Sequence, residues 1–484
     1  MARVVILGAG ISGHTAALHL KRRLKRSHEV IVVSPNANWN WIPSNIWVGV
    51  GRMTPAQVTF PLRPVYRRKG IDFRQALAVA IRPEGDGDDE SGSVDIVYTD
   101  PTRLGQEERL TYGFLINATG PKLNFAATPG LGPDGNSLSV CTARHAEQTA
   151  GAFDRVVDAL RRGERQTLVI GVGHGTCTCE GAAFEYTFNI EHELREQGVR
   201  ELADVVYLTN EYDLGDFGVG GMSFEQNGFV TSSKMWTESL FRERNVRAIL
   251  RAHVERVDPG VIHYEQLDGT KGTLAFDFAM LLPPFRGADL KAYDRQSGDI
   301  TNQLFAPNGF LRVDADYEAK PFEEWKAEDW PSTYQSHLYG NLFGVGIAFA
   351  PPHPISRPRS SPDWDGHLPG PTSHRHALRR HGAGGGPFHR RQDRARGDSP
   401  PAHCVDGVDG SRLHRVRRRR HAYGNGGCHD HVPDRSQFRS LPGVRTQPEG
   451  DVRGNRARCP LDETAPALPV HVQGEGSSGL VPHS

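Results

Sequence analysis

Two cysteines one residue apart, Cys177-Thr178-Cys179, follow the glycine-rich run Gly171-Val172-Gly173-His174-Gly175-Thr176 and precede a helical pattern over Ala182 to Gln197. A thiol at the start of a helix lies in the positive field of the helix dipole. That field favours the thiolate, the form that attacks sulfur. A glycine turn between a strand, here Thr167 to Ile170, and a helix is equally the geometry that seats a pyrophosphate. The segment therefore admits sulfur chemistry, a nicotinamide site, or only two small thiols packed beneath a turn. Its spacing is CxC, not the CxxC of dithiol oxidoreductases.

A more complete glycine turn opens the chain. Arg3-Val4-Val5-Ile6-Leu7 reads as a short buried strand, Gly8-Ala9-Gly10-Ile11-Ser12-Gly13 as the turn and Thr15 to Leu24 as the helix. In that context Gly8, Gly10 and Gly13 let the backbone approach a pyrophosphate and the helix pack on the strand. The second strand, Glu29 to Val33, ends at Ser34, where an acidic residue often holds the adenosine ribose. Ser34 must do this with a hydroxyl. The strand Leu115-Ile116-Asn117-Ala118-Thr119-Gly120 ends in Thr119-Gly120 and resembles the segment closing over the cofactor in two-dinucleotide-domain flavoproteins. Together these marks favour FAD in the first site. They predict an α/β fold of two Rossmann-type dinucleotide-binding domains.

The elements that must carry these residues are set by length and composition. The chain has 484 residues, with 57 Lys+Arg against 57 Asp+Glu. A net charge of zero excludes a nucleic-acid binder held by bulk charge. No run of about 18 apolar residues exists to span a bilayer, and no charged leader or cleavage site precedes the first strand. The expectation is a soluble or peripheral protein, cytoplasmic or on the inner membrane surface. Six cysteines are too few for a disulfide scaffold. The balanced charge hides two unlike parts meeting near Asp363. From Trp364 to Ser484 there are 19 Arg, no Lys, Met or Ile, 12 of the 22 His and 12 acidic residues.

Four segments together resemble the sulfide:quinone oxidoreductases: Trp41-Ile42-Pro43-Ser44-Asn45-Ile46-Trp47 to Gly51, Ser139-Val140-Cys141-Thr142-Ala143-Arg144-His145-Ala146, Cys179-Glu180-Gly181 to Tyr186, and Met280 to Phe285. The resemblance runs from residue 1 to about 362 and implies FAD, sulfide and a quinone at a membrane surface. It implies that Cys179 is the redox cysteine beside the flavin and Cys141 a second one serving sulfide entry or product release. It makes Glu185 a proton-handling carboxylate. His145, four residues after Cys141, should share its helical face. Pro43 and Ser44 fall among the cofactor-binding residues, as does Gly346 in Asn341-Leu342-Phe343-Gly344-Val345-Gly346-Ile347. Ile347 replaces an acid common in the wider superfamily, so the ribityl chain must be held by backbone there. The family has Phe where Glu180 stands and Pro where Ala182 stands, and Cys177 has no counterpart. No metal is expected.

The resemblance implies a first FAD-binding part over 1–125, a second Rossmann-like domain over 126–290 carrying the redox cysteines, a return over 291–363, and a foreign tail over 364–484. The tail reads as a shifted frame. His403 to Arg415 can be encoded so that the next frame gives TASMASMGAACIA, and Cys459 to Gln473 so that it gives AHWMKRLLHYLFMYK. Both are sequences expected of the family, and two further segments match in the same frame and order. The third redox cysteine and the membrane-contacting end would then be missing, which implies impaired turnover. Histidine clusters such as His429-Asp430-His431 have a coding explanation and not a zinc one. Two rivals stay open. One is a type II NADH:quinone oxidoreductase using Gly171 to Gly175 with Glu211 after strand Asp204 to Leu208. The other is a non-catalytic flavin-binding remnant.

Overall fold

The computed structural model describes residues 2–352, apart from 25–26, 88, 218–219 and 322–323. The tail over 364–484, with its shifted-frame reading, lies outside the described residues.

Short runs rich in Val, Ile and Leu form the centre of two sheets. Arg3–Leu7 and Glu29–Ser34 bury every residue but the first, as strands covered on both faces must. They pair in parallel from Arg3 opposite Glu29 to Leu7 opposite Val33. Phe114–Asn117 lies parallel on the other side of Arg3–Leu7, and Leu342–Gly344 lies outside it. Asp72–Arg82 continues the sheet beyond Glu29–Ser34, then turns it antiparallel through Gly92–Tyr98 and Glu107–Tyr112. The first sheet is thus made early in the chain and completed more than two hundred residues later.

The second sheet is parallel throughout, in the order Val246–Ile249, Ala203–Leu208, Gln166–Val172, Phe278–Leu282. The helix Glu180–Glu196 crosses it, burying Ala183, Tyr186, Ile190 and Leu194, the three- and four-residue spacing of one helical face. The helix Ala143–Arg161 also packs against this core through Ala146, Phe153, Val156, Val157 and Leu160. A three-stranded antiparallel sheet, Ala252–Asp258, Val261–Gln266 and Lys271–Ala275, closes a separate apolar layer over Val169, Val206 and Leu208. The architecture is α/β with two Rossmann-type units. Both glycine turns lie where parallel strands end and helices begin, the place where such sheets bind ligands. Among the described residues no helix is long and apolar enough to cross a membrane.

Candidate functional site

The first glycine turn is an open cradle. A Cβ on Gly8, whose φ is +97°, would lie 2.1 Å from the Ala118 carbonyl oxygen, and one on Gly13 would lie 2.1 Å from that of Gly8. Both glycines are required by packing. A Cβ on Gly10 would meet nothing within 4 Å, so this position faces open space at the start of helix Ile11–Leu24. The first N–H groups of a helix have no intrahelical partner and point at whatever fills that space. Ser34 is buried at the end of its strand, its Oγ accepting from the Asn36 N–H at 3.4 Å. Thr119 is tied to Asn117, whose Oδ1 accepts from the Thr119 hydroxyl at 2.8 Å. Gly346, with φ +67°, turns against Ser12 so closely that a Cβ there would lie 2.4 Å from the Ser12 Oγ. Three separate chain segments therefore converge on one helix N-terminus. This arrangement fits a dinucleotide.

The second glycine turn is filled by the protein itself. Leu131 lies over Gly173, 2.4 Å from where a Cβ would be. His253 Nδ1 accepts the Gly175 N–H at 2.9 Å, and the His174 and His253 rings meet edge to face at 4.5 Å. The Gly173 N–H is bonded to the Leu282 carbonyl and the Cys177 N–H to that of His174. The buried Asn210 amide donates to the carbonyls of Gly175 and Cys177, each at 2.9 Å. Glu211, the ribose ligand of the NADH reading, is 1% exposed. Its carboxylate is taken by Tyr207, Thr209 and the Phe217 N–H at 2.8, 2.9 and 2.7 Å.

The thiols gather beside this closed turn. Cys177 is buried in the core, and Cys141 and Cys179 are partly buried against the same cluster, with Trp47 and Met53. The Trp41 to Gly51 segment reaches them from the first sheet's side of the chain. Asn40 Oδ1 accepts the Ala143 N–H at 3.2 Å, and the Tyr186 hydroxyl donates to the Gly49 carbonyl at 2.8 Å. Pro43 and Ser44 lie in the 3-10 turn Ile42–Ser44 of this segment. A second link runs from the cofactor cradle. Leu123, just past Gly120, pairs with Phe285, and Pro283 beside it accepts the Cys177 thiol at 3.3 Å.

Two sequence-based expectations are corrected here. Cys179 is the N-cap of helix Glu180–Glu196, yet its thiol is pushed well above the ordinary value. The interaction with the Cys177 thiol is the largest cause, followed by burial and the neighbouring Cys141 and Glu180. The helix field is outweighed. Cys141 is likewise pushed up to about 12, by burial foremost, against a favourable contact with Ser139. Second, Cys141 and His145 share no helical face. Thr142 is an extended N-cap, φ −131° and ψ 158°, taking the His145 N–H on its hydroxyl, so Cys141 precedes the helix. The His145 ring instead meets Phe125 edge on at 5.9 Å, and burial lowers its pKa. Glu185 is on the exposed side of its helix, off the face carrying Ala183 and Tyr186.

The carboxylates that are buried near the thiols are Glu180 and Glu211, each 1% exposed. The alternation Tyr207, Thr209, Glu211 was the available signal, since alternate residues at a strand end share a side. Burial, then the charge of Glu180, raises Glu211 to about 7 against its three hydrogen-bond donors. The unfolded chain holds that proton only below about 4.5. The folded chain therefore carries the extra proton across this window, and stability falls as pH rises from about 4.5 through about 7. Wild type is expected to lose up to about 3 kcal/mol between pH about 5 and about 8 that Glu211→Gln does not lose. Unfolding of both proteins at the two pH values measures this. Parallel pH profiles would remove the shift.

Residues 2–282 match the pyridine nucleotide-disulphide oxidoreductase family. The chain is 28% identical over 355 residues to the sulfide-quinone reductase of Aquifex aeolicus (strain VF5), covering 73% of this chain and 70% of that one. It superposes on the crystal structure of the sulfide:quinone oxidoreductase from Aquifex aeolicus with a TM-score of 0.58 at 25% identity, covering 75% of this chain and 71% of the other. NDH2 from Plasmodium falciparum, solved with NADH, gives 0.48 at 17% identity, covering 72% and 64%. The protein belongs to the pyridine nucleotide-disulphide oxidoreductase family, with sulfide-quinone reductase as a homologue.

Proposed function

We propose that the chain oxidises sulfide to sulfur or polysulfide through its cysteines and FAD, with a quinone as the final acceptor, working at a membrane surface. The observation that carries this reading is the gathering of Cys141, Cys177 and Cys179 beside a second glycine turn that the protein's own side chains have closed. A nicotinamide enzyme needs that turn open.

In this reading Gly8, Gly10, Gly13, Ser34, Thr119, Gly120 and Gly346 hold the FAD, with Pro43 and Ser44 on its approach to the thiols. FAD supplies a two-electron acceptor that a thiolate can reduce. Cys179, partly exposed, takes the incoming sulfur, and Cys141 serves as the second thiol. Both are neutral at pH 7 by the shifts above, so each must lose a proton to react. Glu180 is the buried carboxylate next to Cys179, better placed than Glu185 to receive that proton. Glu185, on the exposed side of the helix, exchanges it with solvent. Because resemblance ends near residue 362, the sulfide half-reaction proceeds and the quinone half-reaction is impaired.

Anaerobic titration of the purified, flavin-loaded chain tests this. Sulfide alone should bleach the flavin absorbance, and NADH alone should not. Bleaching by NADH alone would establish the nicotinamide reading. Bleaching by neither would establish a non-catalytic flavin-binding remnant.

A further inference from the structure

Cys177 has no place in the mechanism above, yet it is the most firmly held of the three thiols. It is 0% exposed, and its Sγ–H donates to the Pro283 carbonyl at 3.3 Å. Its backbone is pinned on both sides, by the His174 carbonyl at 3.1 Å and by the Asn210 amide at 2.9 Å. Cys179, across Thr178, has φ −109° and ψ 30°, and its side chain makes no capping bond to the helix it starts. It packs in the same cluster as Cys177, whose neighbouring thiol holds its proton. Cys179 is a partly exposed residue, Cys177 is sealed, and a single residue separates them. That is the disposition of an attacking and a resolving cysteine.

We propose that Cys177 and Cys179 form a redox pair that closes a disulfide across Thr178, with Cys179 the sulfur that reagents attack and Cys177 the resolving thiol. Closure from two thiols forms one S–S bond and releases two protons and two electrons. Within the function proposed above, on which this role in turnover rests, an FAD held at the first glycine turn would be the acceptor of the two electrons. With oxidised glutathione no flavin is needed. The Cys179 thiolate attacks one glutathione sulfur, forming a mixed disulfide and expelling one glutathione thiolate. The Cys177 thiolate then attacks the Cys179 sulfur, forming the internal bond and expelling the second. Hydrosulfide opens the pair by attacking the Cys179 sulfur. The Cys177–Cys179 bond breaks, a persulfide forms on Cys179, and Cys177 leaves as a thiolate that takes up one proton.

The test uses the full chain with Cys404, Cys428 and Cys459 replaced by serine, reduced, exposed to oxidised glutathione, alkylated and mapped by peptide mass. The expected result is a Cys177–Cys179 peptide two hydrogens lighter than its reduced form, with no glutathione retained, unchanged in Cys141→Ser. Cys177→Ser and Cys177→Ala should each trap about one glutathione per chain on Cys179, the mixed disulfide having lost its resolving thiol. Stable glutathione on Cys179 in the parent, a Cys141–Cys179 link, or both Cys177 and Cys179 free after oxidation would each overturn the proposal. If both Cys177 variants fail to fold, the parent's map alone decides. The sulfide titration fails or succeeds independently of this map, so the two readings can fall separately.

Discussion

Cys179→Ser is expected to retain its flavin and lose sulfide-driven bleaching by roughly a thousandfold or more. The hydroxyl is nearly isosteric with the thiol, so the helix Glu180–Glu196 should keep its start. Serine even supplies the N-cap oxygen that Cys179 withholds. What is lost is the only atom type at that position able to bond a second sulfur. Stopped-flow absorbance under anaerobic conditions reads the rate, and reduction by dithionite, which needs no thiol, should match wild type. Wild-type bleaching in Cys179→Ser would move the chemistry away from this cysteine. The raised thiols add a pH signature. Because both Cys141 and Cys179 are held protonated, the wild-type rate should climb with pH through neutrality as thiolate forms.

The second large effect separates binding from folding within one turn. Gly10→Val should leave the apoprotein about as stable as wild type, because no atom lies within 4 Å of the new Cβ. The side chain would stand where a pyrophosphate must approach, and FAD affinity should fall at least ~100-fold, about 3 kcal/mol. Gly13→Ala is the contrasting case. Its Cβ would lie 2.1 Å from the Gly8 carbonyl oxygen and 3.1 Å from the Ala118 Cβ, so the helix must move off the strand. Overpacking of this kind costs about 1–3 kcal/mol or more, and the apoprotein itself should unfold at lower temperature. Flavin content after purification, reconstitution with added FAD, and thermal unfolding of the apoproteins distinguish the two. Equal flavin content in Gly10→Val and wild type would mean that this turn is not the cofactor site.

What could be read in the residues was local. The strand Arg3–Leu7, its turn and helix Ile11–Leu24 follow from apolar runs and glycine positions a few residues apart. The same holds for Gln166–Val172 and Glu180–Glu196. Helix starts were off by two to four residues, because glycine, serine and glutamate join the first turn as readily as they precede it. What could not be read depends on residues far apart in the chain. Nothing near Gly171 to Gly175 announces that Leu131 and His253 fill the turn. Glu211 has the position of a ribose ligand, and only Tyr207, Thr209 and Phe217 folding over it show otherwise. Cys141 and His145 have helical spacing, but Thr142 between them is a cap, which starts the helix two residues too late for Cys141. The dipole argument for Cys179 was sound for an isolated thiol and failed because the neighbouring Cys177 thiol first, and burial second, hold its proton.

The closing strand Leu342–Gly344 carries a consequence for synthesis. The strand Phe114–Asn117 is emitted from the ribosome long before its outer partner exists, and until then it is the sheet's bare edge. The second unit must therefore fold while the first still offers unpaired N–H and C=O groups, a template for other chains. Chaperone dependence and loss to aggregates should concentrate in this interval, and slow translation past residue 282 should worsen them. Gly346, turned against Ser12 directly after the strand, makes the seal and the cofactor cradle a single late event.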